Sequence, residues 1–226
     1  GEGGIVVTND DDLCERVQLI RNHGEAVVNN KGTKNIRNII GHNFRLGEIE
    51  CAIGIQQLKK LEYFVKDRQK IAKKLDKALN NLKGLKIPFV HKDNTHAYYI
   101  YGLTLDTDMI GLKRNTIINA LKAEGLSGLA EGYQNIHLLP MFQKKIAYGN
   151  FGYPWKDENS RKNISYEKGI CPIAESLQDK YFISFNLCLH QLSSDDLESV
   201  INVFHKVWGN LGDLKKYEKD YDKDNK

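Results

Sequence analysis

The apolar positions of this chain fall into a few periodic stretches separated by polar ones. Ile5-Val6-Val7-Thr8 is a β-branched run behind glycines and predicts a strand. Asn9 or Asp10 can then cap a helix that carries Leu13, Val17 and Ile20 on one face and stops at Gly24. Residues 25–42 are rich in Asn, Lys and Gly without an apolar period, which predicts a long loop of the kind that is often functional or mobile. From about Glu48 to Leu82, the positions Leu58, Leu61, Val65, Arg68, Ala72, Leu75, Leu79 and Leu82 step by three and four. That pattern predicts one helix of about 50 Å, long enough to bridge domains or form an interface.

After Gly84 the pattern changes. Ala97-Tyr98-Tyr99-Ile100-Tyr101 predicts a strand, Leu112 to Glu124 a helix stopped by Gly125, and Tyr181 to Leu187 a second strand. Ser193 with Asp196 three residues on resembles a capping box opening a last helix through Trp208. Alternating strands and helices predict a small α+β domain over residues 83–212. Residues 213–226 run charge after charge and predict a disordered tail.

Composition narrows the class. The 226 residues hold 33 basic and 29 acidic side chains, interspersed, so the chain lacks the one-sided basic face of a nucleic-acid binder and predicts no nucleic-acid partner. The lysines at 59, 60, 66, 70, 73, 74 and 77 form a stripe, but Glu62, Asp67 and Asp76 interrupt it and make it a solvated helix face. Apolar runs of only a few residues predict no membrane span. Cys14, Cys51, Cys171 and Cys188 are far apart, with no Cys/His cluster, so no metal site is expected and the thiols suit a reduced, cytoplasmic protein. The chain opens on Gly1-Glu2-Gly3-Gly4 without Met, which reads as the start of a motif and predicts a fragment of a longer protein.

Candidate chemistry is concentrated in Gly41-His42-Asn43-Phe44-Arg45, between the polar loop and the expected start of the long helix. Backbone N–H groups at a helix N-terminus favour an anion, and an Asn amide beside an Arg fork suits a phosphate or carboxylate. The same residues also allow a plainer reading, with Asn43 capping the helix and Arg45 exposed. The Gly-rich opening is neither a P-loop nor a dinucleotide fingerprint and marks a tight turn. Phe151-Gly152-Tyr153-Pro154-Trp155 can stack a base or sugar ring, or anchor a loop to the core.

Taken together, several motifs carry a resemblance. Gly-Glu-Gly-Gly feeds a strand ending in Thr-Asn-Asp, and Arg21-Asn22-His23-Gly24 follows. Then come Gly41 to Ile49 and a helix with Ala52-Ile53-Gly54 and Gln57-Leu58. In order and spacing, residues 1 to about 82 resemble the DegT/StrS family of pyridoxal-phosphate-dependent sugar aminotransferases. His96 with its tyrosine-rich segment, Ile136-His137-Leu138 with Pro140, and Cys171-Pro172-Ile173-Ala174-Glu175 resemble family positions more loosely.

The resemblance implies an α/β fold, the C-terminal part of a fold-type I aminotransferase. Residues 1–47 would end the large cofactor domain, 48–82 would form the connecting helix, and 83–212 the small domain. It places the lysine that forms the Schiff base with pyridoxal 5'-phosphate just upstream of Gly1, so the chain alone is expected to be catalytically silent. It gives cofactor binding to Asn43, which reaches the phosphate of the neighbouring subunit, and to Arg45. It gives substrate binding to Phe44, where the family usually has Tyr, and to His137 near the sugar-nucleotide end. A homodimer with a shared active site follows, acting on a nucleotide-linked sugar and an amino donor, glutamate. Two rivals stay open: a sugar dehydratase of the same family, with His in place of the lysine, and a non-catalytic sugar-nucleotide-binding or dimerisation module. Half of a sheet-based domain is further expected to expose apolar surface and to associate.

Overall fold

The computed structural model describes residues 2–25, 40–161, 163–187 and 191–224. Most of the expected loop 25–42 and Cys188 lie outside them. The chain divides into two compact units, Gly1–Phe64 and Val65–Lys226.

In the first unit, α1 (Asp11–Arg21) begins where the Asp10 carboxylate accepts the Leu13 amide at 2.9 Å. Asp11 and Asp12 sit at its positive end and Arg21 at its negative end. Its buried residue is Leu19, whereas Leu13 is exposed. The helix ends one residue earlier than expected: His23 takes the left-handed conformation (φ 60°), and the next amide, of Gly24, reaches back to the Leu19 carbonyl at 2.8 Å.

Ile5 to Thr8 forms no strand. No segment among the described residues pairs with it, and Ile5, Val6 and Val7 are 83%, 67% and 86% exposed. A β-branched run needs both a ladder partner and a buried face to become a strand, and here it has neither.

The long helix is α2 (Glu48–Leu79), whose turns run through the division between the units. The apolar stripe splits along its length. Leu58 and Leu61 are exposed, while Ile71, Ala72, Leu75 and Leu79 are buried.

The second unit is built on a four-stranded antiparallel sheet in the order β1 (Leu85–Lys86), β2 (Tyr101–Leu105), β4 (Phe182–Phe185), β3 (Leu129–Ala130). Tyr101 pairs with Phe185 and Leu103 with Ile183. Alternation along β2 sends Tyr101, Leu103 and Leu105 into the core. There they join the last turns of α2, Ile117, Ile118 and Leu121 of α4 (Arg114–Ala123), and Leu197, Val200, Phe204 and Trp208 of α7 (Ser194–Gly209). The Tyr101 hydroxyl donates to Asp76 at 2.6 Å and ties β2 to α2, and burial together with that carboxylate pushes its pKa far up. The short helix α3 (Thr107–Ile110) follows β2.

Two expectations fail in this unit. Residues 97–100 are not a strand, because Tyr98 is left-handed (φ 49°) and its amide donates to His96 Nδ1 at 2.7 Å. Residues 211–224, expected to be largely disordered, form α8 (Leu211–Asp224). Its charges alternate in sign at helical spacing, as in Asp213–Lys216 and Asp220–Lys223, so they do not repel as a block. Leu214 packs on the core, Lys113 pairs with Asp222 at 2.6 Å, and Thr116 bonds to Glu218.

Candidate functional site

The Gly41–Arg45 segment is not a helix cap, since α2 begins only at Glu48. It is a short extended strip laid against the end of α1. The His42 amide donates to the Ile20 carbonyl (2.7 Å), the Phe44 amide to Arg21 (2.9 Å), and the His23 amide to the His42 carbonyl (2.9 Å). Asn22 and Asn43 thereby form an antiparallel bridge. Two carbonyls left without partners at the end of α1 are satisfied by this strip instead of by solvent. The close approach explains Gly41, where a Cβ would lie 1.8 Å from the Gly24 nitrogen.

The strip sets three candidate residues side by side. Arg45 donates one guanidinium N–H to the side-chain oxygen of Asn22. Its other donors have no recorded partner among the described residues, and neither does the Asn43 amide. Phe44 is 65% exposed and stacks on His42, the ring centroids 4.7 Å apart. Glu2 to Val6, Val17, Ile20, Phe44, Arg45 and Cys51 border a hollow of about 1110 Å³. An amide and a guanidinium in the open form a donor set suited to phosphate or carboxylate.

His137 belongs to the second unit, in a short 3₁₀ turn (Ile136–Leu138) ahead of α5 (Pro140–Lys144). Its Nε2 lies 2.9 Å from Oε1 of Glu175, in α6 (Pro172–Ser176). Glu175 is 6% exposed and also accepts the Gly169 amide on both oxygens (2.8 Å each) and the Cys171 amide at 3.2 Å. Burial opposes its ionisation, but the two amides and the imidazole outweigh burial and hold its carboxyl below the ordinary glutamate value. Gln143 clamps the surrounding loops, donating to the carbonyls of His137 (2.7 Å) and Tyr166 (2.6 Å).

The aromatic loop takes the anchoring reading at Trp155. Its indole N–H donates to the Tyr166 hydroxyl at 2.9 Å, and the ring meets Phe142 edge-on. Phe151 is 87% exposed. Cys14, Cys51 and Cys171 are free thiols, and no group of metal-ligating side chains is formed among the described residues. No helix there is long and apolar enough to cross a membrane.

Asn22 and Glu175 lie within the Arg21–Gly24 and Cys171–Glu175 motifs, yet the sequence alone points to no role for either. Asn22 meets Arg45 across 23 residues and Glu175 meets His137 across 38, separations at which spacing carries no signal.

Comparison with known proteins bears out the family resemblance. The profile of the DegT/DnrJ/EryC1/StrS aminotransferase family matches residues 1–202. The chain is 31% identical over 160 residues to the spore coat polysaccharide biosynthesis protein SpsC of Bacillus subtilis, covering 68% of this chain and 41% of that protein. It is 28% identical over 207 residues to a UDP-4-amino-4,6-dideoxy-N-acetyl-beta-L-altrosamine transaminase of Helicobacter pylori, covering 91% of this chain and 47% of that one. Among solved structures, a DegT DnrJ EryC1 StrS aminotransferase from Brucella abortus superposes with a TM-score of 0.65 at 24% identity, over 89% of this chain and 45% of that one. Helicobacter pylori PseC, an aminotransferase of pseudoaminic acid biosynthesis, superposes with 0.61 at 21% identity, over 90% and 48%. The chain thus spans about half the length of the curated relatives it matches, the share that the C-terminal part of a fold-type I enzyme would take. It belongs to the DegT/DnrJ/EryC1/StrS aminotransferase family.

Proposed function

We propose that this chain is the C-terminal part of a cytoplasmic enzyme that moves an amino group from glutamate to a keto-sugar attached to a nucleotide, in the making of amino sugars for surface polysaccharides. The observation that carries this reading is the strip Asn43-Phe44-Arg45. It lies within the stretch that the family profile matches and presents an amide and a guanidinium together on an exposed strip. Relatives named as sugar-nucleotide transaminases and as a spore coat polysaccharide protein support the substrate class.

Pyridoxal 5'-phosphate would supply the electron sink for such a transfer. The donor set at Asn43 and Arg45 fits its phosphate, and in a homodimer those donors would serve the neighbouring subunit's site. Arg45 offers a planar fork for a phosphate or for the donor's carboxylate. Phe44 presents a flat apolar face without the hydroxyl of a tyrosine, and so orients a ring by contact alone. His137 would face the sugar nucleotide. If the lysine that carries the cofactor lies outside this chain, as the family resemblance implies, the chain would hold substrate and phosphate without turning them over.

Two measurements test this. Incubation of the chain with pyridoxal 5'-phosphate, borohydride reduction and mass spectrometry should give no stoichiometric adduct at a single lysine. A single full adduct would overturn the assignment of the lysine. With the upstream sequence restored, 2-oxoglutarate should form from glutamate only when a nucleotide-linked keto-sugar is present. Asn43→Ala or Arg45→Ala should cut that rate by at least about tenfold, the loss of one charge-assisted hydrogen bond.

A further inference from the structure

We propose that Glu175 is a positioning residue, which holds His137 as the Nε2–H imidazole so that Nδ1 is left open to accept a hydrogen bond from a sugar hydroxyl. The second half of this statement rests on the reading that places His137 at the sugar nucleotide; the first half stands on geometry alone.

The Glu175 carboxylate is almost fully buried and already takes three backbone contacts from two amides, Gly169 on both oxygens and Cys171 on one. Amide N–H groups only donate, so the group facing them must be an acceptor, which an ionised carboxylate is. The imidazole nitrogen 2.9 Å from Oε1 must then supply the proton of that contact. In the neutral ring this fixes the tautomer: Nε2 carries the hydrogen and Nδ1 the lone pair. Nδ1 has no recorded hydrogen bond among the described residues and is not among their buried unpaired atoms. The histidine is held from its other end as well, because Gln143 grips its carbonyl and the Tyr166 carbonyl together.

Two segments well apart in sequence, 136–143 and 166–175, thus converge to orient one ring. A surface ion pair would leave both partners mobile and wet. Here the side chains of His137 and Glu175 are 11% and 8% exposed. An acceptor so fixed meets a hydroxyl without having to order its own ring first, and this is how a positioned side chain favours binding.

The test is nitrogen-15 NMR of the ring in the intact chain, at a pH where the imidazole is neutral, with uridine diphosphate N-acetylglucosamine as the probe. The expected result is a slowly exchanging Nε2–H proton resonance for His137 and an Nδ1 shift typical of an unprotonated nitrogen. In Glu175→Gln, an amide would have to meet the same backbone N–H groups, so that resonance should disappear and the ring should average between tautomers. Probe affinity should fall about tenfold, the loss of one hydrogen bond. An Nδ1–H tautomer in the unsubstituted chain overturns the proposal without reference to any variant. So does an E175Q chain whose His137 ring shifts and probe affinity are unchanged. If the tautomer is as expected but saturating probe leaves Nδ1 unmoved, positioning by Glu175 stands and the sugar-nucleotide role of His137 falls.

Discussion

Gly41 shows how a single missing side chain sets up the candidate phosphate site. Its backbone runs so close to the His23–Gly24 backbone that an added Cβ would sit 1.8 Å from one atom and 2.1 Å from another, both of them main chain. A backbone atom cannot swing away as a side chain can. Gly41→Ala should therefore push the strip off α1, break the amide bonds of His42 and Phe44, and release Asn43 and Arg45 from their shared setting. We expect a cost of about 1–3 kcal/mol in urea unfolding, the range for forced overpacking, and a marked loss of inorganic phosphate binding. An unchanged unfolding curve would show that the strip is not held there. The residues of this strip were legible in the sequence because they are contiguous. Their setting was not: spacing carries no sign that Asn43 bridges to Asn22 instead of capping α2. The weight borne by Glu175 emerges only when residues 137 and 175 are seen together.

At the scale of elements, local chemistry was most readable where it is self-contained. The box at the start of α7 closes as the sequence predicts. The Ser193 amide donates to Asp196 at 2.9 Å, and the Asp196 amide to Ser193 Oγ at 3.1 Å. The Ser193 hydroxyl and amide hold the Asp196 carboxyl below its ordinary value. A lowered folded pKa means that this contribution to stability is complete above the ordinary aspartate value and is lost as pH falls through the folded one. Ser193→Ala should cost about 1 kcal/mol near neutral pH. Its difference from the unsubstituted chain should narrow in acid, as Asp196 takes up a proton and gives up its part of the box. Chemical unfolding at neutral pH and at about pH 3 checks both halves of the expectation. Elements that depend on neighbours were misread. The tyrosine-rich run 97–100 has strand composition but turns on Tyr98. The charged end of the chain has the composition of disorder, yet Leu214 and the pairing of Lys113 with Asp222 dock it as α8.

Over the whole molecule the two units differ in what they bury. The second has a continuous core of buried apolar side chains running from α2 through the sheet to α7. The first leaves Ile5, Val7, Ile49 and Leu58 at 83%, 86%, 76% and 66% exposed. Large apolar side chains left exposed in this number favour association. The chain should therefore show concentration-dependent growth in light scattering, reduced by the pair Ile49→Ser and Leu58→Ser. Neither substitution touches the buried core of the second unit, so the main unfolding transition should stay within about 0.5 kcal/mol. A monodisperse monomer at high concentration would count against association.

The split along α2 also sets a clock. Its hydrogen bonds are continuous from Glu48 to Leu79, yet only the turns from Ile71 onward are sealed beneath other side chains. Amides in the bare turns can trade their hydrogen for deuterium through brief local fraying, while those at Leu75 and Leu79 must wait for the second unit to come apart. One uninterrupted helix therefore keeps two different times, and the change from fast to slow along its length marks where side-chain burial takes over from backbone hydrogen bonding as the source of its persistence.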